Sequence, residues 1–163
     1  MITLKTEVEI AGISGKEITD FLLNPNNENY NKWWRGTHLE LHVLKSFPDH
    51  VGDIVYMDEF VGKRRVKMKG LVEEAVPGRL IVWRLKSIIR LPVRLLLKLD
   101  DNNGGVKITH ITEVGFRGVG KMLDQVLKIY FSRSFEKAMN EHVKVEFERF
   151  KELRHTFEKP VLD

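Results

Sequence analysis

The sequence predicts an α+β domain in which an antiparallel sheet holds one long C-terminal helix, and two patterns carry that prediction. From Phe135, apolar residues recur at Ala138, Met139, Val143, Phe147, Phe150 and Leu153, steps of three or four that line one helical face, with His142 on the same face. From Leu39 to Phe116 the period is two instead, broken at intervals by glycine-containing turns, which is the rhythm of successive half-buried strands. Upstream of Phe135 the helical pattern continues through Met122, Leu123, Val126, Leu127, Tyr130 and Phe131 with a rotated stripe. A single helix over Gly118 to Leu153 is therefore expected, with a drifting face or a bend near Ser132 and Ser134. At that length it would run to about 50 Å. Its regular charges exclude a membrane span, and it lacks a heptad seam, so it must lie across a broad surface supplied by the rest of the chain.

The 163 residues suit a single domain over 1–163 with enough core to fold unaided. Without cysteine there is neither a disulfide framework nor a thiolate nucleophile, and Met1-Ile-Thr-Leu-Lys5 is not the apolar run of a signal peptide, which makes the cytoplasm the expected location. The net charge of +4 is mild and identifies no partner.

Leu4, Thr6, Val8 and Ile10 alternate with Lys5, Glu7 and Glu9, so the chain opens on a strand. Ser14 and Glu17 have the spacing of a capping box and predict a helix from Gly15 to Leu23, stopped at Asn24-Pro25. A second short helix capped by Asn27 follows, with Tyr30, Trp33 and Trp34 as its aromatic face and Gly36 as its end. In the next strand Leu39, Leu41 and Val43 form the apolar side, and His38, Glu40 and His42 point the other way. Pro48 to Asp53 is a loop, and strands are expected at Ile54 to Val61, Arg64 to Val76, Leu80 to Lys86, Leu91 to Leu99 and Val106 to Phe116. Val66, Met68, Val72, Trp83, Leu85, Leu95, Leu97 and Leu99 would face inward, and Arg84, Lys86, Arg94 and Lys98 outward.

Hairpin parity tests these assignments, because a tight turn fixes which residues share a face. Pairing Leu99 with Val106 sets Leu97 opposite Ile108 and Leu95 opposite His110, and Pro77-Gly78 sets Val72 opposite Trp83. The apolar residues then agree on one face. At Gly62-Lys63 parity leaves two solutions: a two-residue loop turns Met57 and Glu59 inward, a three-residue loop Asp58 and Phe60.

Strand, two short helices, six strands and one long helix is the helix-grip order, a curved seven-stranded antiparallel sheet around the terminal helix. On Tyr30-Asn-Lys-Trp-Trp34, Pro77-Gly-Arg-Leu-Ile-Val-Trp83 and the stretch through Met139-Asn-Glu-His-Val143, the sequence resembles the SRPBCC superfamily of START lipid-transfer domains, pollen-allergen-like proteins and polyketide cyclases. The resemblance covers nearly the whole chain and specifies fold better than activity. It implies a deep apolar cavity between sheet and helix, with function in the few polar groups that point into it.

Other motifs are weaker. Gly115-Phe-Arg-Gly-Val-Gly120-Lys121 matches a phosphate-binding loop up to Met122, which replaces the magnesium-binding Ser or Thr, and no later strand completes a parallel unit. His38 and His42 on one strand would sit about 13 Å apart, so a solvent-facing pair is expected and no metal site. The Lys63, Arg64, Arg65, Lys67, Lys69 run and the outer Arg84, Lys86, Arg94, Lys98 set form a basic stripe without interleaved aromatics, which disfavours nucleic acid and leaves a transient contact with anionic membrane as the better functional reading. No nucleophile elbow is present.

The expected function is binding or transport of a hydrophobic small molecule, lipid- or polyketide-like, with no cofactor. Trp34, Leu41, Met68, Trp83, Leu97, Thr112, Phe135 and Met139 are the candidate ligand-binding residues. The alternatives are a cyclase-, dehydratase- or hydrolase-like enzyme, with His110, His142 and Glu59 as candidate catalytic groups, and a co-chaperone-like interaction module.

Overall fold

The computed structural model describes residues 2–86, 90–116 and 124–157. The order is β1 (Ile2–Ala11), α1 (Gly15–Leu23), α2 (Asn27–Trp33), β2 (His38–Lys45), β3 (Ile54–Val61), β4 (Arg64–Val76), β5 (Leu80–Lys86), β6 (Arg90–Asn102), β7 (Gly105–Val114), α3 (Asp124–Tyr130) and α4 (Arg133–Phe157). The seven strands form one antiparallel sheet in the order β1-β7-β6-β5-β4-β3-β2. Although β1 and β3 lie at opposite sides of this sheet, α4 packs against both, so the sheet curls around the helix as the α+β helix-grip arrangement requires.

The local chemistry accounts for most boundaries. Ser14 Oγ accepts from Glu17 N while Glu17 accepts from Ser14 N, so the capping box forms and α1 has the predicted bounds. The cap of α2 is Asn26 rather than Asn27: Asn26 Oδ1 accepts from the amides of Glu28 and Asn29. Asn27 Oδ1 accepts instead from Leu41 N at 2.8 Å and ties α2 to β2. The C-terminal helical region divides in two. Ser132 Oγ accepts from Phe135 N at 3.4 Å and its carbonyl accepts from Glu136 N at 2.9 Å, so α4 starts from its own capping serine two residues beyond the end of α3. The phosphate-loop-like residues 117–121 and the start of the expected helix, 118–123, lie outside the described residues.

Gly62-Lys63 is a two-residue turn, with Val61 opposite Arg64, and this resolves the open parity: Met57 pairs with Met68 and Glu59 with Val66, all facing inward. Val72 lies opposite Trp83 as expected. The β6–β7 register differs from expectation by two residues: Leu99 pairs with Ile108, Leu97 with His110 and Leu95 with Thr112. Both strands extend to the turn, leaving only Asn103-Gly104 as the loop. A shift of two preserves the pleat, so the inward set is unchanged.

The edge strand β2 departs from simple alternation. Its pairing with β3 slips between His38 and Glu40 and again between Val43 and Lys45. The first bulge turns His38 to the same face as Leu41, and His38 is fully buried rather than solvent-facing. Val43 keeps the face of Leu41, opposite Val55, but at this edge of the sheet it is 44% exposed. The core joins Val8, Ile10, Ile18, Trp33, Leu97, Ile108, Val143 and Phe147.

On the outer face the basic stripe is partly neutralised. Arg65 and Lys67 both reach Asp58, and Arg84 and Arg94 converge on Glu73, the extra residue of a bulge in β4; the side chain of Lys86 lies outside the described residues. Burial works to raise the Glu73 pKa, but the two guanidiniums outweigh it and hold the carboxyl below its ordinary 4.5. A depressed folded-state pKa contributes stability above the unfolded value that is lost as pH falls through the folded one. At neutral pH Glu73→Gln should therefore cost about 1 kcal/mol. Urea unfolding below pH 4.5 should show that gap closing; a gap unchanged with pH would contradict the ion-pair account.

Candidate functional site

Sheet and α4 do not close on each other. Between them lies a cavity of about 630 Å³, within the size range of small-molecule sites. The sheet contributes Leu41, Met57, Met68, Trp83 and Leu97, and α4 contributes Phe135 and Met139. Phe21 and Leu22 of α1 and Leu127 and Tyr130 of α3 form parts of its rim. The helix periodicity supplies one wall and the period-two pattern the other, so each half of the sequence signal accounts for one side of the space.

The walls are apolar except in one zone. Glu59, His142 and Glu146 line the cavity there, and His38 stands behind them. One donor atom from each of these four residues lies within 4.8 Å of the others. His38 Nε2 is 3.4 Å from Glu146 Oε1 and 3.8 Å from Glu59 Oε2. Tyr30 Oη donates to Glu59 Oε2 at 2.6 Å, and the Tyr30 ring stacks on the His38 ring with centroids 4.2 Å apart. His38 Nδ1 is 3.2 Å from the carbonyl oxygen of Tyr30. A carbonyl only accepts, so Nδ1 carries the proton and Nε2 faces the carboxylates. Trp33 donates from Nε1 to the Glu146 carbonyl at 2.7 Å, fixing α2 to the turn of α4 that carries the cluster.

These surroundings push the acids and bases apart. Burial, then the neighbouring Glu146 charge, raises the Glu59 pKa despite the two histidines and Tyr30. Burial also opposes ionisation of Glu146, but the His38 contact and the charges of His142 and His38 prevail and hold it below the ordinary range. Burial drives His110 down to about 4, so its imidazole, in the chamber wall, is neutral at neutral pH. Burial and Glu59 push the Tyr30 hydroxyl up, keeping it a donor. Thr112 Oγ1, on the same wall, is buried without a hydrogen-bond partner. Chemically the zone can hold a cation, share a proton between carboxyls, or receive the polar end of a ligand.

Of the residues singled out from the sequence, Leu41, Met68, Trp83, Leu97, Thr112, Phe135 and Met139 line the cavity, as do His110, His142 and Glu59. His110 and His142 thus share one chamber. Trp34 does not line it. Its ring lies 4.8 Å from that of His142 in a separate shallow groove with Thr37 and Phe60, covered by the Arg149 guanidinium, and the neighbouring Trp33 takes the cavity position. A seven-residue helix turns consecutive tryptophans to different sides, and Trp34 is already its C-cap. Sequence reasoning missed Tyr30, His38 and Glu146 as members of the polar zone. Glu146 had a usable signal: it follows His142 by four residues on a helix, one turn along the same face. His38 had none, because its orientation depends on the bulge.

The fold and site together define a helix-grip domain with an internal, mostly apolar chamber. No protein-family model matches the sequence, and no curated protein matches it. Solved structures do match. TTHA0849 from Thermus thermophilus superposes with a TM-score of 0.64 at 10% identity over 97% of this chain and 100% of that one. Ara h 8.0201 gives 0.58 at 12% identity, covering 92% and 98%. The Aha1 dimer structure from Colwellia psychrerythraea gives 0.52 at 11% identity, covering 90% and 98%. At such identities the likeness establishes the fold. Among the described residues no helix is long and apolar enough to cross a membrane.

Proposed function

We propose that this protein binds and carries a hydrophobic small molecule, lipid- or polyketide-like, in the chamber between sheet and α4. The observation that carries this reading is the chamber itself: about 630 Å³ remain open where a domain of this size ordinarily packs its core, and most of the walls are Leu, Met, Val, Phe and Trp. An apolar occupant would cover that surface at roughly 25 cal/mol per Å² removed from water. The unpartnered Thr112 hydroxyl and the neutral His110 would meet a polar group on an otherwise apolar molecule. An interaction module would be better served by a filled core.

Native mass spectrometry and fluorescence titration with fatty acids, sterols and polycyclic aromatic probes test the reading, since Trp33 and Trp83 line the chamber and report occupancy. Met139→Trp should fill space in the chamber and weaken binding at least about tenfold, the loss of roughly 1.4 kcal/mol. Absence of binding across all three probe classes would overturn the proposal, as would a Met139→Trp variant that folds and binds as well as the parent.

A further inference from the structure

We infer that His38, Glu59, His142 and Glu146 form a binding site for a first-row divalent transition cation at the polar end of the chamber. The site is assembled from three places in the chain: the bulged start of β2, the inward face of β3 and one turn of α4. Its four donor atoms lie within 4.8 Å of one another. In a tetrahedral zinc site, metal bonds of about 2.0–2.2 Å separate neighbouring ligand atoms by about 3.3–3.6 Å. The His38 Nε2 separations of 3.4 Å from Glu146 and 3.8 Å from Glu59 lie at or close to that spacing.

The hydrogen-bond pattern points the same way. His38 is 0% exposed, and its Nε2 has no hydrogen-bond partner. With Nδ1 directed at the Tyr30 carbonyl, the buried Nε2 is left facing the carboxyls of Glu59 and Glu146 without an aligned hydrogen bond to either. A cation placed among them would be coordinated by all three. The supporting contacts are those that orient metal ligands: a backbone carbonyl fixes the His38 tautomer, and the Tyr30 hydroxyl holds one oxygen of Glu59. Charge also balances, since a dication with two carboxylates and two neutral imidazoles is neutral, the state an apolar chamber tolerates best. Two nitrogen and two oxygen donors without sulfur suit zinc, iron, cobalt or manganese rather than calcium or magnesium.

Glu59, His142 and Glu146 line the chamber, so the ion would sit in its wall, within reach of an oxygen on a bound molecule. The site itself does not depend on what fills the apolar part, and the two readings fail separately: cation binding is measured here without any apolar ligand.

The full chain, stripped of metal by a chelator and dialysed, is titrated with Zn²⁺ by calorimetry and with Co²⁺ by visible absorption. One equivalent should bind, with the intense bands of four-coordinate Co²⁺. Histidine ¹⁵N spectra of the parent protein should show the Nε2 of His38 and a ring nitrogen of His142 moving on Zn²⁺ addition, while His42 and His50, outside the chamber beside Glu40 and Asp53, stay in place. Glu146→Gln and His142→Ala should each weaken Zn²⁺ at least about a hundredfold and Tyr30→Phe about tenfold; His42→Ala should change nothing. Because the spectra use the unaltered chain, variants that fail to fold do not rescue the proposal. Failure to bind one equivalent, or binding that moves His42 or His50 instead, overturns it.

Discussion

Trp33→Ala should destabilise the protein by about 3–5 kcal/mol in urea unfolding, the range for deleting a buried aromatic side chain. Trp33 is 4% exposed and meets Phe21, Tyr30, Phe147 and Phe150 edge-on, with centroid separations from 5.3 to 6.4 Å. These rings belong to α1, α2 and α4, so one side chain holds three helices together. The removed volume would merge with the existing chamber, whose walls are fixed by the sheet, so the surroundings cannot collapse to recover contacts. Loss of the Nε1 bond to Glu146 also frees α2 from the turn of α4 bearing His142 and Glu146. Trp33→Phe keeps much of the aromatic contact and should cost less than half as much. A cost below about 1 kcal/mol for the alanine variant would mean that α2 is not anchored through this residue.

Gly15→Ala should destabilise as well, by about 3 kcal/mol, at the upper end of ordinary overpacking costs. The sign is diagnostic. Helix propensity alone favours alanine over glycine by about 1 kcal/mol in a helix interior, so a rule based on α1 in isolation expects stabilisation. In the folded protein an added Cβ would stand 2.4 Å from the Gly78 carbonyl oxygen and 3.1 Å from Leu99 Cβ. Backbone cannot move aside as a flexible side chain does. Moreover α1 is held to the sheet by Gly15 N donating to Asp101 and by Gly78 N donating to Thr19 Oγ1. Relief of the clash must strain both bonds and shift Phe21 and Leu22 at the rim of the chamber. Thermal unfolding gives the sign directly; a higher midpoint for the variant would refute the close approach.

The architecture was legible because its signals are local and repeat. The capping box of Ser14 and Glu17 set α1, Gly62-Lys63 marked the β3–β4 turn but left open which face of β3 is inward, and the three- and four-residue steps after Phe135 set the inward face of α4. The β6–β7 register was wrong by two residues without consequence, since the pleat repeats every two. Most of the chamber wall followed from the same periodicities. The polar zone did not, because it rests on events that periodicity cannot encode. His38 is inward through one unpaired residue in an edge strand, and Trp33 rather than Trp34 faces the chamber because α2 ends where it does. The division between α3 and α4 was anticipated only as a bend, since Ser132 reads equally as a tolerated helix residue or as a cap until its partners are seen.

The bulge at the start of β2 gives strand pairing an importance that residue type does not have there. With Glu59 opposite His38 and Asp58 opposite Glu40, Leu39 is the surplus residue. Were Leu39 paired in a regular ladder instead, His38 would rotate to the outer surface while every imidazole and carboxyl of the zone stayed in the chain. Two sequences with identical polar inventories could therefore differ completely in what this end of the chamber can do. Whether this strand end bulges or runs regular thus decides whether the chamber has its interior polar centre, with no substitution at the centre itself.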